Sequence, residues 1–119
     1  MNDKKQPSNR QLKVGQQIRF LVSNFFIKED FIFKNFDCKD LTIVDVVLSP
    51  DLKNAKIFVS TNSVSENKLS IDELNQNSKL IQRKIALNLN SKFTPKIKFF
   101  FDNSLEYSSK INSILETIK

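Results

Sequence analysis

Between Thr42 and Ser60 two dense β-branched runs flank a Pro-Asp pair, and this pattern most narrows what the chain can fold into. Thr42 to Ser49 and Asn54 to Ser60 are strand-length, and Pro50-Asp51 supplies turn chemistry, so two adjacent antiparallel strands are expected. In the second run Ala55, Ile57 and Val59 share one face, while Lys56, Phe58 and Ser60 share the other. Asp45 sits in the middle of the first run and marks its outer face, where pairing with Lys56 or Lys98 across strands is expected. Such a sheet is covered on one side only.

Helical periods surround this hairpin. Ser8 and Gln11 form a capping box, after which Val14, Ile18, Leu21, Val22 and Phe25 recur as one apolar stripe of a first helix. Arg10, Lys13 and Gln17 share another face of it. Gly15 inside that helix costs about 1 kcal/mol relative to Ala, and so marks a close approach by another element. Residues 27–41 mix Phe with charge, show no period and read as a packed loop. Residues 61–69 read as a polar linker. Ser70 with Glu73 reads as a second capping box, opening a long helical stretch to about Phe93 whose buried stripe is Leu74, Ser78, Ile81, Ile85 and Leu89. Pro95 ends it. Lys96 to Phe101 alternates as a third strand, with Ile97, Phe99 and Phe101 inward and Lys98 and Phe100 outward. Asn103 and Glu106 cap a final helix carrying Leu105, Ile111, Leu115 and Ile118. Helix, strand, strand, long or broken helix, strand, helix is the order of an α+β layer with helices on one face of a small mixed sheet.

Composition bounds the chemistry. The chain of 119 residues, 39% of them hydrophobic and 11 of them Phe, is one domain able to bury a core. Residues 1–8 read as a flexible N-terminus and 9–119 as the domain. No apolar run reaches the roughly 18 residues of a membrane span, and the polar start lacks a secretory signal. The single cysteine, Cys38, fits a reducing cytoplasm. Histidine is absent and glycine occurs once, which removes the commonest general base and metal ligand and excludes glycine-rich phosphate loops. Nothing pairs the scattered Asp, Glu, Ser and Lys for catalysis, so neither enzyme activity, cofactor, metal nor small-molecule substrate is expected. The formal charge of +6 and pI of about 9.5 favour a polyanionic partner. Only three of the 19 cations are Arg, however, and Asn and Ile are abundant while Ala is scarce. Codon drift toward A+T explains such a bias without any binding surface.

Several strings go further. Thr42 to Ser60, with Ser49-Pro50-Asp51-Leu52 at its turn and Ala55-Lys56 opening the second strand, resembles the strand–turn–strand of the ribosome-binding factor A family. Pro95 to Ser104 is similar to that family's proline before the third strand and Phe-x-x-Asp-x-Ser after it. Arg10-Gln11-Leu12-Lys13-Val14 resembles its Arg-x-x-Arg-Val helix start, with Lys13 in place of the second Arg. The resemblance covers residues 10–119. It implies a type II KH-like fold with a three-stranded mixed sheet and two central helices meeting at a kink, usually Ala-x-Gly. It also implies a monomeric, cytoplasmic factor that binds the free 30S subunit and 16S rRNA late in assembly, matters most in the cold and contacts no membrane. The kink positions read Asn77-Ser78-Lys79, without the glycine, and Gln82 and Asn90 stand where the family often carries Arg.

The candidate RNA-binding residues are therefore Arg10, Lys13, Asn77, Ser78, Lys79, Arg83, Lys84 and Lys92. Cations on a helix face grip phosphates through counterion release, with little sequence specificity. Lys79 stands at the helix junction, where a free helix N-terminus adds positive potential. The competing account of each is a solvated face in a Lys-rich chain. Lys56, Phe58, Lys98 and Phe100 read either as a surface on which bases stack, as in RRM domains, or as a half-exposed sheet patched with Phe. Asp102, Asn103 and Ser104 read as turn and cap chemistry. A general single-stranded RNA binder and a protein-interaction domain remain the alternatives.

Overall fold

The computed structural model describes residues 6–34, 36–61, 67–89 and 93–102. Its elements are α1 (Asn9–Ile27), β1 (Leu41–Leu48), β2 (Asn54–Thr61), α2 (Asn67–Gln76), α3 (Ser78–Asn88) and β3 (Lys96–Phe101). The strands form one sheet ordered β1-β2-β3, with β1 antiparallel and β3 parallel to β2. Parallel neighbours need a crossover, and α2 with α3 supplies it. The expected final helix, the residues 1–5 of the expected loose N-terminus, and Asn90, Lys92, Asn103 and Ser104 lie outside the described residues.

α1 begins as its sequence dictates. The Ser8 hydroxyl accepts from the Gln11 amide at 3.1 Å, and the Gln11 side-chain oxygen accepts from the Ser8 amide at 2.7 Å. The Gln11 Nε2 also donates to the Leu48 carbonyl at 2.9 Å, tying the start of α1 to the end of β1. One turn on, a Cβ at Gly15 would stand 3.0 Å from the Val46 carbonyl oxygen and 3.4 Å from Leu48 Cδ2. α1 therefore crosses β1 at its glycine. The stripe beyond it buries Ile18, Val22, Phe25 and Phe26 in one core with Ile57, Val59 and Phe99 of the sheet and Leu74, Ile81 and Ile85 of the crossover. Each such aliphatic side chain contributes roughly 1.5–3 kcal/mol on burial.

The aperiodic segment after α1 is packed by its aromatics. Phe31 and Phe33 are buried, Phe26 and Phe33 meet edge to face, and Phe33 stacks on Phe36 with centroids 4.5 Å apart. A 3-10 turn, Cys38–Asp40, follows. The Cys38 thiol donates to the Phe31 carbonyl at 2.9 Å, and burial, reinforced by Asp37 and Glu29, pushes its pKa from 9.0 up to about 11. It is a core side chain held as the unreactive thiol.

Three expectations need correction. Ser70 and Glu73 do not open α2: the helix already includes Asn67–Leu69, which the sequence placed in a linker, and both residues lie buried inside it. The Glu73 carboxylate is engaged elsewhere, accepting the Lys34 amide at 2.6 Å. The crossover also does not stay helical to Phe93. α3 ends at Asn88, whose Nδ2 donates to the Lys84 carbonyl, and Leu89 turns extended well ahead of Pro95. Third, Asp45 pairs with neither lysine among the described residues. The register shifts between Ile43 and Asp45, which sets Asp45 opposite Phe58 and Lys56 opposite Val47. The freed carboxylate accepts the amide of its neighbour Val46 at 2.9 Å.

Candidate nucleic-acid interface

The central helix breaks at one residue. The Asn77 amide donates to both the Glu73 and Leu74 carbonyls at 3.1 Å, and its Nδ2 donates to the Glu73 carbonyl at 2.8 Å, closing α2. Its carbonyl accepts the Ile81 amide at 3.0 Å and so begins α3. With φ −100° and ψ 11° the backbone stays at negative φ. That is why the junction needs no glycine: the break uses the bridge region, open to ordinary residues, rather than the left-handed one. The sequence shows the missing glycine but not that the turn avoids the conformation glycine serves.

Asn75 fixes where this junction sits. Its Nδ2 donates to the Phe99 carbonyl at 3.1 Å, and its Oδ1 accepts the Phe99 amide at 2.8 Å. A strand residue sends its N–H and C=O to the same side, so this amide occupies the free edge of β3 as a neighbouring strand would. The last turn of α2 is thereby locked to the sheet edge. Nothing in the sequence singles out Asn75, because its partner lies 24 residues away.

The start of α3 is electropositive. Asn77 supplies no side-chain cap, and the first turn of α3 holds no acidic residue. The leading amides therefore remain available to an external acceptor. Lys79 and Arg83 project one turn apart from this end, both exposed and, among the described residues, without ion-pair partners. Ser78 lines a cleft of about 510 Å³ beside the junction, together with Asn75, Lys96, Lys98 and Phe100.

The other candidates fall in different places. Arg10 lines a second cleft of about 660 Å³ with Lys53, Gln82, Phe93 and Lys96. Lys53 and Lys96 were not singled out in the sequence. They come together because the Lys96 amide donates to the Lys53 carbonyl at 2.9 Å where β3 starts. Lys13 is exposed one turn beyond Arg10. Lys84 points away from the junction: it pairs with Asp30 at 3.2 Å and lies over the rings of Phe25 and Phe31 at 5.1 and 5.3 Å. That position braces α3 against the aromatic loop. On the open face of the sheet Phe58 and Phe100 stack with centroids 5.7 Å apart. Among the described residues no group of three Cys, Asp or Glu could hold a metal, and no helix is long and apolar enough to cross a membrane.

A three-stranded mixed sheet with helices on one face and a broken helix as its crossover defines a small α+β protein of the type II KH-like class, here with a basic helix junction. The family model described as ribosome-binding factor A matches residues 10–115. Ribosome-binding factor A of Pelagibacter ubique is 33% identical over 109 residues, covering 92% of this chain and 89% of its own. The solution structure of a Thermotoga maritima protein, assigned by its description to ribosome binding factor A, superposes with a TM-score of 0.66 at 23% identity, covering 82% of this chain and 91% of that one. A homology model of Thermus thermophilus ribosome binding factor A, as fitted into the cryo-EM map of its 30S complex, superposes with a TM-score of 0.61 at 16% identity, covering 75% of this chain and 91% of that one. The chain belongs to the ribosome-binding factor A family.

Proposed function

We propose that this chain is a non-enzymatic assembly factor that binds the free small ribosomal subunit in the cytoplasm and assists late maturation of its 16S RNA. The observation that carries the reading is the break at Asn77, which opens the N-terminus of α3 beside Lys79 and Arg83. Membership of the family supports it, and so does the 30S complex of the Thermus relative. The mechanism is binding without bond chemistry. The leading amides of α3, from Ser78 onward, donate to a phosphate oxygen. Lys79 and Arg83 neutralise it and its neighbour, while Arg10, Lys13 and, outside the described residues, Lys92 add further phosphate contacts. Lys84 contributes less than its charge suggests, because Asp30 already matches it.

Sedimentation of the tagged protein with lysate through sucrose gradients at two salt concentrations tests this. Recovery with small subunits, absence from complete ribosomes and loss at higher salt are expected. Each phosphate contact removed flattens the log–log salt dependence by about one unit. If Lys79→Glu with Arg83→Glu still co-sediments normally, the junction is not the site. Binding that barely responds to salt would favour a protein-interaction domain instead.

A further inference from the structure

The sheet face opposite the helices, uncovered among the described residues, holds a group that the helix junction does not use. Pleating sends Lys56 and Phe58 of β2 and Lys98 and Phe100 of β3 away from the helices. The parallel register then sets Lys56 beside Lys98 and Phe58 beside Phe100. The rings lie 28° from parallel, and both ammonium groups stand over the Phe100 ring, at 5.9 Å for Lys56 and 5.4 Å for Lys98. Like charges side by side on neighbouring strands destabilise a sheet. Among the described residues neither lysine has an ion-pair partner to offset this. Across the β1–β2 ladder Asp45 stands opposite Phe58, and Lys56 stands opposite Val47.

This patch is continuous with the junction. The cleft of about 510 Å³ is lined both by Asn75 and Ser78 of the junction and by Lys56, Lys98 and Phe100 of the patch. We infer that the open sheet face is a second RNA-contact surface, on which bases of a single-stranded segment stack on Phe100 and Phe58 while Lys56 and Lys98 hold the flanking phosphates. The segment passes round β3 from the α3 N-terminus, so the inference rests on the RNA-binding role proposed above. An acidic peptide would satisfy the charges but has no need of aromatic rings. A single-stranded nucleotide brings a phosphate and a π-face together. Bases paired in a duplex are not free to stack there.

The test uses the full chain and a ten-nucleotide single-stranded RNA carrying 2-aminopurine, whose fluorescence falls when it stacks. Quenching on the unaltered protein is expected. Phe58→Leu with Phe100→Leu keeps apolar volume but removes both π-faces; it should abolish the quench and weaken affinity about thirtyfold, at the low end of stacking on two rings. Lys56→Gln with Lys98→Gln should lower the salt slope by about 1.4 units, the single-strand value for two phosphate contacts. Unchanged affinity and quench in the double Leu variant overturn the inference. A lower melting temperature with unchanged RNA binding also overturns it, because the rings then serve the fold and not RNA. Where melting and binding fall together, Phe58→Tyr with Phe100→Tyr decides: restored quenching upholds stacking, and its absence rejects it. Lys79→Glu with Arg83→Glu, assayed on small subunits, reports separately on the junction. Failure there with stacking intact discards the docking site and keeps the sheet surface.

Discussion

Two sharp bends, both without glycine, organise this molecule, and they are built in opposite ways. Between β1 and β2 the chain reverses at Ser49–Leu52, where the Leu52 amide donates to the Ser49 carbonyl and Leu52 takes a φ of 62°. That left-handed backbone is costly for a branched side chain. Local hydrogen bonds hold it: the Ser49 hydroxyl donates to Asp51 at 2.6 Å, Asp51 accepts the Lys53 amide at 3.0 Å, and the Ser49 hydroxyl accepts the Asn54 amide at 3.0 Å. Between α2 and α3 the bend at Asn77 keeps an ordinary backbone, and its position is fixed by Asn75 reaching across to β3. The hairpin is a strained turn held by its own sequence. The junction is a relaxed turn held by a distant strand.

The largest effect should come from cutting that distant tie. Asn75→Ala removes two hydrogen bonds and leaves the Phe99 amide and carbonyl unpaired at a partly buried edge. At about 1 kcal/mol for each bond plus the unsatisfied groups, a loss of about 3 kcal/mol is expected in urea denaturation. The same variant should weaken small-subunit binding, because α3 is then free to shift against the sheet. A loss under about 1 kcal/mol would mean that water replaces the amide and the junction is positioned by core packing alone.

The next pair sets one bend directly against the other. At Leu52 a left-handed backbone makes Leu52→Gly more stable than Leu52→Ala by about 1 kcal/mol. At Asn77 the order should invert, with Asn77→Ala more stable than Asn77→Gly by about 0.5–1 kcal/mol, since negative φ gives glycine only its entropy cost. Each pair cancels the side-chain interactions lost in both members, so the differences isolate the backbone. Equilibrium unfolding of the four variants measures them. The same sign at both sites would remove the contrast between a strained and a relaxed bend.

Gly15→Ala probes a third crossing. Alanine gains about 1 kcal/mol of helix propensity, but its Cβ meets the Val46 carbonyl, a strand backbone that cannot swing aside. Overpacking costs of about 1–3 kcal/mol outweigh the gain, so a net loss of about 1 kcal/mol in thermal or urea melts is expected.

These contrasts explain what was legible in the sequence. Strand alternation, the first capping box and the stripe from Ile18 to Phe25 depend on neighbours within a turn or two, and all stand where the sequence puts them. The close approach at Gly15 was also readable, because a lone glycine in an apolar helix has few other reasons to be there. Long-range competition decided the rest. Ser70 and Glu73 match a capping box locally, yet the Lys34 amide, 39 residues away, takes the carboxylate. Asp45 looked like a cross-strand partner until a one-residue register shift moved it opposite Phe58. Lys84 looked like one more cation on a basic helix, and only the fold shows Asp30 and two phenyl rings beside it. The junction's basic end was readable in part: Lys79 and Arg83 are visible in the sequence, whereas the Asn75 lock is not.

The smallest expected effect concerns the charge in the strained turn. The Ser49 hydroxyl, followed by the Lys53 amide, holds the Asp51 carboxyl below its ordinary value of 3.8. A carboxyl depressed in the folded state binds its proton less readily there than in the unfolded chain, so its stabilisation is complete above about pH 3.8 and fades as the pH falls below that value. Asp51→Asn keeps an oxygen in the same place but does not titrate. Its melting temperature should lie below that of the unaltered protein at pH 7, and the gap should close toward pH 3. The side chain is fully solvated, so the shift will be small. A gap that stays constant across this range would show that geometry alone, and not the carboxylate's charge, holds Leu52 in its left-handed turn.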